Sequence, residues 1–437
     1  MRSPVRENAP VTVRVGLLGC GNVGSALARL IHDNAALISR RVGGPVEVTR
    51  IAVKDLSKPR DIPQDQNVLT SDGEGVVADP DIDLVVETIG AVEPARTLIL
   101  TALKSGKPVV TANKELLAHS GSELFEAAES AGVDLLFEAS VAGGIPLIRP
   151  LRESLAGERI QRVMGIVNGT TNYILTRMTE EGSSFADALA EAQRLGYAEP
   201  DPTADIEGFD AGAKAAIIAS IAYGARVVAD DVHREGITSV TADDIAAAGE
   251  LGYVVKLLAV AEEVDGRVGV RVHPALVPLD HPLATVRGSY NAVFIEGEAV
   301  GQLMLLGRGA GGGPTASALL GDVLDAGKNL RSGSRGATIG TLHDVPFRHI
   351  EETSAQFYLS LDVADRPGVL AAIANTFGKH DVSIQSMQQH GHGDAARLIF
   401  VTHLARTAAM SATIAEVREL DVIKRVGSVL RVVGGEE

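Results

Sequence analysis

The sequence predicts a mixed α/β protein with a doubly wound parallel sheet at the N-terminus, an α+β domain in the middle and a ferredoxin-like βαββαβ domain at the C-terminus. Three observations predict this fold class. The chain has 437 residues, too many for one compact core. Short apolar strands alternate with helices of about ten residues in its first third. From Ala355 onward the segments follow the order βαββαβ.

The N-terminal part opens on a strand and a helix. Val13–Leu18 is an aliphatic, β-branched run typical of a buried strand, and Val23–His32 has helical spacing. Met1–Pro10 is polar and charged, and we expect it to form a loose tail. The other predicted elements here are strands at Val48–Val53, Leu84–Glu87, Pro108–Ala112 and Val133–Phe137, and a helix at Glu93–Lys104.

Past about Ala142 the pattern becomes a mixture of helices and long β-prone runs. The glycine-rich run Gly307–Gly313 then leads into a helix at Thr315–Ala326. The predicted helices are Gly144–Leu155, Asn172–Glu180, Phe185–Leu195 and Ile206–Tyr223. The predicted strands are Arg162–Val167, Val254–Val260, Val268–Val272, Ala292–Ile295 and Gln302–Leu306.

The C-terminal part is self-contained and follows a basic, aperiodic stretch that we interpret as a linker. Its predicted elements are Gln356–Val363 (strand), Gly368–His380 (helix), Val382–Gln389 and Ala396–Leu404 (strands), Ala408–Glu419 (helix) and Val422–Val432 (strand). The predicted divisions are an N-terminal domain at 11–142 with its sheet completed by 307–327, a middle domain at 143–327, a linker at 328–353 and a C-terminal domain at 354–437.

Composition excludes several classes of protein. The net charge of −16 disfavours nucleic acid as a partner, and 3% aromatic residues without tryptophan disfavour stacking platforms. One cysteine excludes disulfide scaffolds, cysteine-rich zinc sites and iron–sulfur clusters. We find neither a signal peptide nor an apolar run long enough for a membrane, so we expect a cytoplasmic protein.

A GxGxxG pattern follows the first strand and opens the first helix. Gly19 allows the tight turn, Gly21 lets the backbone approach a pyrophosphate, and Gly24 lets the helix pack closely on the strand. The helix N-terminus would then face the phosphates. This context predicts a Rossmann-type dinucleotide site, and the alternative is an ordinary glycine turn.

The end of the second strand normally carries the residue that selects the cofactor. Here Lys54 would neutralise a 2′-phosphate and favour NADP, whereas Asp55 would serve NAD. A solvated surface lysine is the alternative for Lys54. The pattern favours NADP slightly.

The lone cysteine, Cys20, lies inside the predicted phosphate turn, where it is badly placed to attack a substrate carbon. Thioacyl-forming dehydrogenases are therefore disfavoured, and zinc-dependent alcohol dehydrogenases would lack their thiol ligands. A hydride-transfer enzyme must then handle the alcohol proton with another side chain. Asp210 and Lys214 share one helix face, which suits this task, but an ordinary surface ion pair has the same spacing.

Two further segments follow predicted strands, where doubly wound sheets bind ligands. Thr111–Lys114 places a lysine there, either in a site or at the exposed start of a helix. Glu138–Pro146 combines one carboxylate with free carbonyls, which fits a monovalent cation or a structured turn. His390 and His392 are interpreted as a solvated hairpin, because no cysteine or carboxylate cluster supports a metal site.

Seven motifs follow one another along the chain: GCGNVG at Gly19–Gly24, TANK at Thr111–Lys114, EASVAGG at Glu138–Gly144, NGTTNY at Asn168–Tyr173, GYAEPDP at Gly196–Pro202, DAGAK at Asp210–Lys214 and GAGGGPT at Gly309–Thr315. Together they resemble the homoserine dehydrogenase family. The likeness covers nearly all of residues 11–327, and the polar motifs between Asn168 and Lys214 are its most specific part.

The resemblance implies oxidation of L-homoserine by NAD(P)⁺ or, in the physiological direction, reduction of L-aspartate 4-semialdehyde, in threonine, methionine and isoleucine biosynthesis. It implies that Lys214 is the general acid/base at the substrate oxygen and that Lys114 lies beside the reacting centre. Asp210 would bind substrate and orient Lys214, Glu199 would hold the substrate amino group, and Asp205 would support them. The implied substrate segment is Gly196, Tyr197, Glu199, Asp205 and Asp210.

The same resemblance implies a cofactor site and a sodium site. The cofactor-contacting positions are Gly19, Gly21, Asn22, Val23, Gly24, Lys54, Thr88, Lys114 and Gly313, the last closing over the nicotinamide end. The sodium positions are Glu138, Val141, Gly143 and Ile145, mostly through carbonyl oxygens. A catalytic need for Na⁺ stays open.

The C-terminal part resembles an ACT domain, whose strand-to-helix turn corresponds to Asp365, Gly368, Val369 and Leu370. The helix N-terminus can receive a carboxylate, and the implied effector is L-threonine. Such modules usually pair across subunits, which implies a homodimer or a homotetramer. Ser383 stands where many versions carry asparagine, so a purely structural oligomerisation module is the alternative.

Two rival functions remain open from sequence. The first is a different amino-acid dehydrogenase on the same scaffold, such as one acting on aspartate. The second is a regulator that senses NADPH and amino acids without catalysis, although the intact set of Glu199, Asp210 and Lys214 argues against it. The sequence also leaves open whether threonine acts through the C-terminal domain or at the active site.

Overall fold

The computed structural model describes residues 12–391 and 396–436. The chain forms two compact units. Of the described residues, the first comprises those up to Glu158 with Ser220–Ala229 and Gly307–Asp344, and the second comprises the remaining stretches. The expected tail Met1–Pro10, and also His392, lie outside the described residues. Over the described ranges, no helix combines the length and hydropathy that a membrane crossing requires.

The first unit is built on a parallel sheet. Its first eleven elements are β1 (Val13–Leu18), α1 (Asn22–Asp33), α2 (Ala35–Val42), β2 (Val46–Ala52), β3 (Leu69–Thr70), α3 (Gly73–Ala78), β4 (Leu84–Glu87), α4 (Ala95–Lys104), β5 (Val109–Thr111), α5 (Lys114–Ala131) and β6 (Leu135–Leu136). The strand order is β3-β2-β1-β4-β5-β6, with every neighbouring pair parallel. The direction of winding reverses between β1 and β4, where such sheets bind ligands. This confirms the predicted doubly wound sheet.

The second unit is built on a mixed sheet. Residues 160–308 supply β7 (Ile160–Ile166), α6 (Gly169–Glu181), α7 (Phe185–Arg194), α8 (Thr203–Ile206), α9 (Phe209–Tyr223), β8 (His233–Arg234), α10 (Ala242–Glu250), β9 (Tyr253–Val264), β10 (Arg267–Pro278), β11 (Tyr290–Gly297) and β12 (Gly301–Arg308). The order β12-β11-β7-β9-β10 forms its first half, and β9 and β10 pair antiparallel along their whole length.

The helix after the glycine-rich run is α11 (Gly312–Ser332), which is longer than predicted. Its apolar side chains Leu319 and Val323 share a fully buried cluster with Leu27 of α1 and Val15 of β1. The segment 307–327 therefore adds a helix to the first unit, while the strand before it, β12, pairs with β11 in the mixed sheet.

The C-terminal stretch comprises β13 (Ser354–Val363), α12 (Val369–Lys379), β14 (Ile384–His390), β15 (Arg397–Thr402), β16 (Ala405–Arg406), α13 (Thr407–Arg418) and β17 (Ile423–Glu436). Its strand order is β17-β13-β15-β14, as predicted for a ferredoxin-like sheet. Leu359 and Leu361 of β13 are buried together with Ile373 and Phe377 of α12. Strand β17 also pairs parallel with β10, so the two halves of the second unit share one sheet.

Two predicted helices differ from the structure. Gly144–Leu155 was expected to be helical throughout, but regular turns occupy only its second half, including a π-type turn at Pro150–Ser154. The expected helix Ile206–Tyr223 is interrupted at Gly208, whose φ of 79° separates α8 from α9. Glycine tolerates this left-handed conformation, which ends a helix.

Candidate active site

The glycine turn after β1 has the geometry of a phosphate-binding loop. Gly19 has a φ of 93°, and a Cβ there would lie 2.8 Å from the Thr88 carbonyl oxygen. A Cβ on Gly24 would lie 2.5 Å from the Gly19 carbonyl oxygen, so both positions require glycine. A Cβ on Gly21 would meet nothing within 4 Å. The backbone at Gly21 therefore faces open space beside the start of α1.

The first turn of α1 is suited to an anion. The helix begins at Asn22 and Val23 and has no acidic residue in its first turn, so its N-terminal amides can attract a pyrophosphate. The glycine-rich run Gly307–Gly313 lies beside this turn, because a Cβ on Gly312 would be 3.0 Å from the Asn22 carbonyl oxygen. Gly313 faces open space.

The side chains of Thr88 and Cys20 contact the glycine turn and its neighbours. The Thr88 hydroxyl donates to the carbonyl oxygens of Gly19 at 3.0 Å and Leu18 at 3.3 Å. Cys20 is buried, with its Sγ 3.3 Å from the Ser25 hydroxyl oxygen. The cysteine is therefore part of the packing around the turn.

The loop after β2 carries the two residues that the sequence offers for cofactor selection. Lys54 and Asp55 are both exposed. The Asp55 carboxylate accepts hydrogen bonds from the Ser57 hydroxyl at 2.7 Å and the Ser57 N–H at 2.9 Å, which hold the pKa of Asp55 below its usual range. Arg60 Nη2 donates to the Asp55 carbonyl oxygen at 2.7 Å. The aspartate thus stabilises its own turn, while Lys54 and Arg60 make the loop cationic.

A buried carboxylate at the end of β4 organises the ligand-facing edge of the parallel sheet. Glu87 accepts hydrogen bonds from the N–H groups of Ile89 and Gly90 at 2.5 and 3.3 Å. Its other oxygen accepts from the Thr111 hydroxyl at 2.5 Å. Burial raises the pKa of Glu87, and these hydrogen bonds act in the opposite direction. The sequence signal for this residue was a glutamate ending an otherwise apolar strand.

Lys114 is the first residue of α5. Asn113 caps that helix by accepting from the Leu116 N–H at 3.1 Å, and its amide donates to the Ala91 carbonyl oxygen at 2.8 Å. The Lys114 side chain is about one-third exposed, and its Nζ lies 3.7 Å from Glu115 Oε1. The capped turn fixes the lysine backbone at the carboxyl end of β5.

The Glu138 carboxylate accepts hydrogen bonds from main-chain N–H groups. Its Oε1 accepts from the N–H groups of Leu147 and Ile148 at 2.5 and 2.8 Å, and its Oε2 accepts from the Arg149 N–H at 2.8 Å. The carboxylate is therefore engaged in capping the short helical segment that follows. A cation at this turn would be held by carbonyl oxygens, which are suitable ligands for a hard ion.

The chain makes a tight turn between Glu138 and the helical segment that its carboxylate caps. Ala142 and Gly143 have φ of 57° and 55°, and a Cβ on Gly143 would overlap the Gly309 carbonyl oxygen. Val141 and Ile145 are fully buried on either side. In the part of the chain that the structure describes, no three histidine, cysteine, aspartate or glutamate side chains are grouped to hold a metal.

Helix α11 binds the Glu138 segment through the Asp322 side chain. The Asp322 carboxylate accepts from the Glu138 N–H at 2.8 Å and from Arg149 Nη2 at 2.9 Å. Burial raises the pKa of Asp322 to about 7. The carboxylate therefore links α11 to both ends of the Glu138 segment.

In the second unit, α9 carries a sheltered ion pair. Lys214 Nζ donates to Asp210 Oδ2 at 2.7 Å and to the Val167 carbonyl oxygen at 2.7 Å. Both side chains are only 12% exposed, which distinguishes this pair from an ordinary surface ion pair. An ammonium group has three N–H donors, and these bonds use two of them.

Asn168 joins this pair to a second carboxylate. Its Nδ2 donates to Asp205 Oδ1 at 2.6 Å and to Asp210 Oδ2 at 2.8 Å, while its Oδ1 caps α6 by accepting from the Thr171 N–H. Burial raises the pKa of Asp205, and the nearby Asp210 acts in the same direction. The predicted site residues did not include Asn168, because an asparagine before a helix looks like an ordinary cap.

The segment with Gly196, Tyr197 and Glu199 lies at the surface of the second unit. The Tyr197 carbonyl oxygen accepts from the Thr170 hydroxyl at 2.7 Å, which fastens the segment to α6. The Glu199 side chain is exposed, and its carbonyl oxygen accepts from Gln193 Nε2 at 3.1 Å. Among the described residues, no hydrogen bond joins the Glu199 carboxylate to the lysine–aspartate pair.

The turn before α12 is open. Gly368 has a φ of 91°, and a Cβ there would meet nothing within 4 Å. Leu370 is exposed, Val369 is buried, and Asp365 is in the loop before them. His390 lies 3.4 Å from Gln388 Oε1 at the end of β14.

Family models match three stretches of the chain. The model described as the NAD-binding domain of homoserine dehydrogenase matches residues 19–138, and the homoserine dehydrogenase model matches residues 146–324. The ACT domain model matches residues 357–422.

Curated relatives match almost the whole chain. The homoserine dehydrogenase of Mycobacterium tuberculosis is 52% identical over 433 residues, which cover 97% of this chain and 98% of the relative. That of Corynebacterium glutamicum is 50% identical, over 96% of this chain and 95% of the relative. That of Bacillus subtilis is 42% identical, covering 97% and 98%.

Solved structures of the same enzyme share the fold. A homoserine dehydrogenase from Thiobacillus denitrificans superposes with a TM-score of 0.91 at 41% identity, covering 97% of this chain and 99% of that chain. One from S. aureus superposes with a TM-score of 0.79 at 33% identity, over 97% of this chain and 99% of that chain. A hyperthermophilic archaeal homoserine dehydrogenase in complex with NADPH gives 0.61 at 32% identity, covering 72% and 98%.

Proposed function

The chain belongs to the homoserine dehydrogenase family, and we propose that it interconverts L-homoserine and L-aspartate 4-semialdehyde with Lys214 as the general acid/base. It is an oxidoreductase that acts on a CH–OH group, with an NAD-binding domain and a C-terminal ACT domain. The observation that supports the catalytic proposal is the sheltered Lys214, held by Asp210 and the Val167 carbonyl.

A nicotinamide cofactor, when bound, supplies or accepts the hydride. The residues of this chain handle the proton. In the reduction, Lys214 donates a proton to the substrate oxygen as negative charge develops there; in the oxidation, it accepts the hydroxyl proton. Asp210 holds the lysine in position, and Asn168 holds Asp210 beside Asp205. We propose that Lys114 lies beside the reacting centre.

We propose that the substrate amino group is bound by Glu199, whose exposed carboxylate is accessible to an ammonium group. Asp205 and Asp210 complete the binding of the substrate, with Gly196 and Tyr197 shaping the same segment.

For the cofactor, we propose a preference for NADP over NAD. The open space at Gly21 and the amides of Asn22 and Val23 would hold the pyrophosphate, with Gly19, Gly24 and Thr88 shaping the turn and Gly313 closing over the nicotinamide end. Lys54 would bind the 2′-phosphate, since the Asp55 carboxylate is engaged by Ser57.

We also propose a structural Na⁺ bound by the carbonyl oxygens of Glu138, Val141, Gly143 and Ile145. The fit is supported by the tight buried turn and by the engagement of the Glu138 carboxylate with main-chain N–H groups. The ion would add a positive charge beneath this turn and hold its shape.

The C-terminal domain is proposed to confer feedback inhibition by L-threonine on a homodimer or homotetramer, with Asp365, Gly368, Val369 and Leu370 as the candidate effector turn. Cytoplasmic location stays a prediction from the sequence.

The test is a steady-state assay of the purified chain with L-homoserine, L-aspartate and L-threonine as substrates, each with NADP⁺ and NAD⁺. We expect reduction of cofactor with L-homoserine alone and a higher kcat/KM with NADP⁺. Turnover with L-aspartate only would assign a different dehydrogenase, and absence of turnover with every pair would contradict the catalytic proposal.

A further inference from the structure

A short stretch of the second unit, His233–Ile237, contacts both the last strand of the chain and the helix that carries the lysine–aspartate pair. We call it the connecting segment. It begins with β8, which pairs parallel with β10, and the Glu235 N–H donates to the Val272 carbonyl oxygen at 2.8 Å. Along a strand, successive side chains point to opposite faces. The connecting segment follows this rule, and each of its faces contacts a different element.

One face of the connecting segment is bound by β17. Arg431 Nη1 donates to Glu235 Oε1 at 2.8 Å, and His233 Nε2 lies 2.8 Å from the same oxygen. Burial by itself would raise the pKa of Glu235, but the hydrogen bond with His233 and the charge of Arg431 outweigh it and lower the pKa to about 2. The carboxylate is therefore ionised at neutral pH, and Arg431 is its permanent counter-charge.

Arg431 is unusually sheltered for an arginine. Its side chain is 8% exposed, and its guanidinium carbon lies 5.7 Å from the centre of the Phe357 ring. Its Nε has no hydrogen-bond partner among the described residues. A buried ion pair adds little net stability, because both charges leave water, and its best-attested benefit is a unique arrangement of the elements that it joins. Here those elements are β17 and the connecting segment.

The opposite face of the connecting segment contacts the turn before α9. A Cβ on Gly236 would overlap the Ile206 carbonyl oxygen, so only glycine allows this approach. The Ile237 N–H donates to the same oxygen at 2.8 Å. The turn that joins Asp205 to Asp210 is therefore held by the main chain of the connecting segment.

Arg234, on this same face, packs against the first turn of α9. Its guanidinium carbon lies 4.9 Å from the centre of the Phe209 ring. A Cβ on Gly212 would lie 2.8 Å from Arg234 Cδ, so the arginine stem and the helix are in close contact. Asp210 lies between these two contacts in sequence, and it accepts the hydrogen bond from Lys214. The connecting segment therefore borders the part of α9 that orients the lysine.

From these contacts we propose that Glu235 and Arg431 are positioning residues for the reaction. Their ion pair fixes the connecting segment, and the connecting segment fixes the start of α9, so that Lys214 meets the substrate oxygen in one orientation. The proposal rests on the proposed function for the role of Lys214. It gives the last strand of the chain a part in turnover that needs no regulatory ligand.

Four variants of the full-length chain test the ion pair. Glu235→Gln removes the charge of a one-third exposed side chain and keeps its shape, and Arg431→Met removes the guanidinium group. Arg431→Lys restores a positive charge, and Glu235→Gln with Arg431→Met removes both charges. The matched control is Arg397→Met on β15, because Arg397 is 19% exposed and forms ion pairs with Asp362 and Asp243 away from the connecting segment.

Steady-state assays without L-threonine, well below the thermal midpoint of each variant, separate kcat from KM. We expect kcat for homoserine oxidation to fall about 5- to 50-fold in Glu235→Gln and Arg431→Met, because a displaced catalytic group no longer lines up with the reacting atoms. KM for NADP⁺ should stay within a factor of two. Arg431→Lys should recover most of the loss, and the double variant should be no slower than Arg431→Met, because the interaction is already absent there. Arg397→Met should match wild type.

Hydrogen exchange measures the positioning without turnover. Peptides covering 203–214 should exchange faster in Glu235→Gln and Arg431→Met than in wild type and Arg397→Met, whereas peptides from α6 should not change. If Arg431→Met does not fold, Glu235→Gln decides the test.

A kcat within twofold of wild type in Glu235→Gln would overturn the proposal, as would an equal loss of kcat in Arg397→Met or unchanged exchange over 203–214. With normal wild-type turnover, each of these results removes only the positioning proposal. Absence of wild-type turnover with L-homoserine would contradict the proposed function instead, and the exchange data would still report whether the ion pair holds the start of α9.

Discussion

At the scale of single residues, the surroundings of Lys214 give the site its chemical character. The spacing of Asp210 and Lys214 was readable from sequence, but it fitted a surface ion pair equally well. The structure adds the carbonyl oxygen of Val167, which comes from the end of β7, and the amide of Asn168. Partners 40 or more residues away in sequence could not be predicted from local spacing.

Replacing Lys214 by methionine should abolish turnover with little effect on folding. The variant keeps about the same side-chain length and removes the proposed general acid/base, so kcat for homoserine oxidation should fall by about 10²- to 10⁴-fold. Binding of NADP⁺, measured by fluorescence titration, should stay within a factor of two. The matched control is Lys328→Met on α11, an exposed lysine paired with Asp325. A kcat within tenfold of wild type for Lys214→Met would remove the lysine from the chemical step.

At the scale of elements, the fold was predictable wherever an apolar run is continuous. β1 and β4 lie at the predicted residues, because both strands run through the interior of a parallel sheet, where every residue except the partly exposed Arg14 is buried. The helix expected at Gly144–Leu155 was wrong in its first half, because Glu138 draws three main-chain N–H groups to itself. Helix α10 was missed, although Thr241 and Asp244 form a capping box that marks its start.

The glycine turn provides a prediction that separates folding from ligand binding. Gly24→Ala places a Cβ 2.5 Å from a backbone oxygen, so the turn must shift and the free energy of unfolding should fall by about 1–3 kcal/mol. Gly21→Ala places its Cβ in open space and should leave the thermal midpoint without cofactor unchanged. Both variants should bind NADP⁺ at least tenfold more weakly. In Gly21→Ala the methyl group would occupy the proposed pyrophosphate space, and in Gly24→Ala the shifted turn would no longer fit the phosphates.

Thermal unfolding with and without NADP⁺ measures both effects. In wild type the cofactor should raise the midpoint, and in Gly21→Ala this increase should disappear while the unliganded midpoint is kept. An unchanged cofactor effect in Gly21→Ala would show that the pyrophosphate lies elsewhere.

Strand β9 carries a buried lysine that should make stability depend on alkaline pH. Lys256 Nζ donates to Asn172 Oδ1 at 3.1 Å and to the Val286 carbonyl oxygen at 2.5 Å. Burial lowers its pKa from 10.5 to about 8, with smaller effects of Glu180 and Arg287. Between these two values the unfolded chain binds more protons than the folded chain, so the contribution of the lysine to stability rises with pH.

Urea unfolding of wild type and Lys256→Met tests this. The free energy of unfolding of wild type minus that of the variant should rise by about 3 kcal/mol from pH 7.5 to 10.5. Lys328→Met provides the control, and its difference from wild type should not change over that window. A pH-independent difference for Lys256→Met would mean that the buried group is still charged at pH 10.

At the scale of the whole molecule, the chain is less modular than its sequence indicates. A C-terminal βαββαβ domain after an aperiodic stretch predicts an appended module. In the structure, β17 pairs with β10 through Ala275 and Leu276, so the C-terminal strands continue the sheet of the middle part. This parallel pairing joins segments about 150 residues apart and leaves no local signal in the sequence.

The attachment of α10 to the C-terminal strands gives the last prediction. Asp244 is fully buried, and its oxygens accept from Ser360 at 2.9 Å, Ser428 at 2.7 Å, Tyr358 at 3.1 Å and the Thr241 hydroxyl at 2.6 Å. Asp244→Asn replaces one acceptor oxygen by a donor, so the free energy of unfolding should fall by about 1–3 kcal/mol. Because Asp244 attaches α10 to β13 and β17, the proposed response to L-threonine should weaken while kcat without L-threonine stays within a factor of two. The control is Asp280→Asn, an exposed aspartate before Pro282. An Asp244→Asn enzyme that loses stability but keeps the full response to L-threonine would show that this buried carboxylate supports the fold without carrying the regulatory signal.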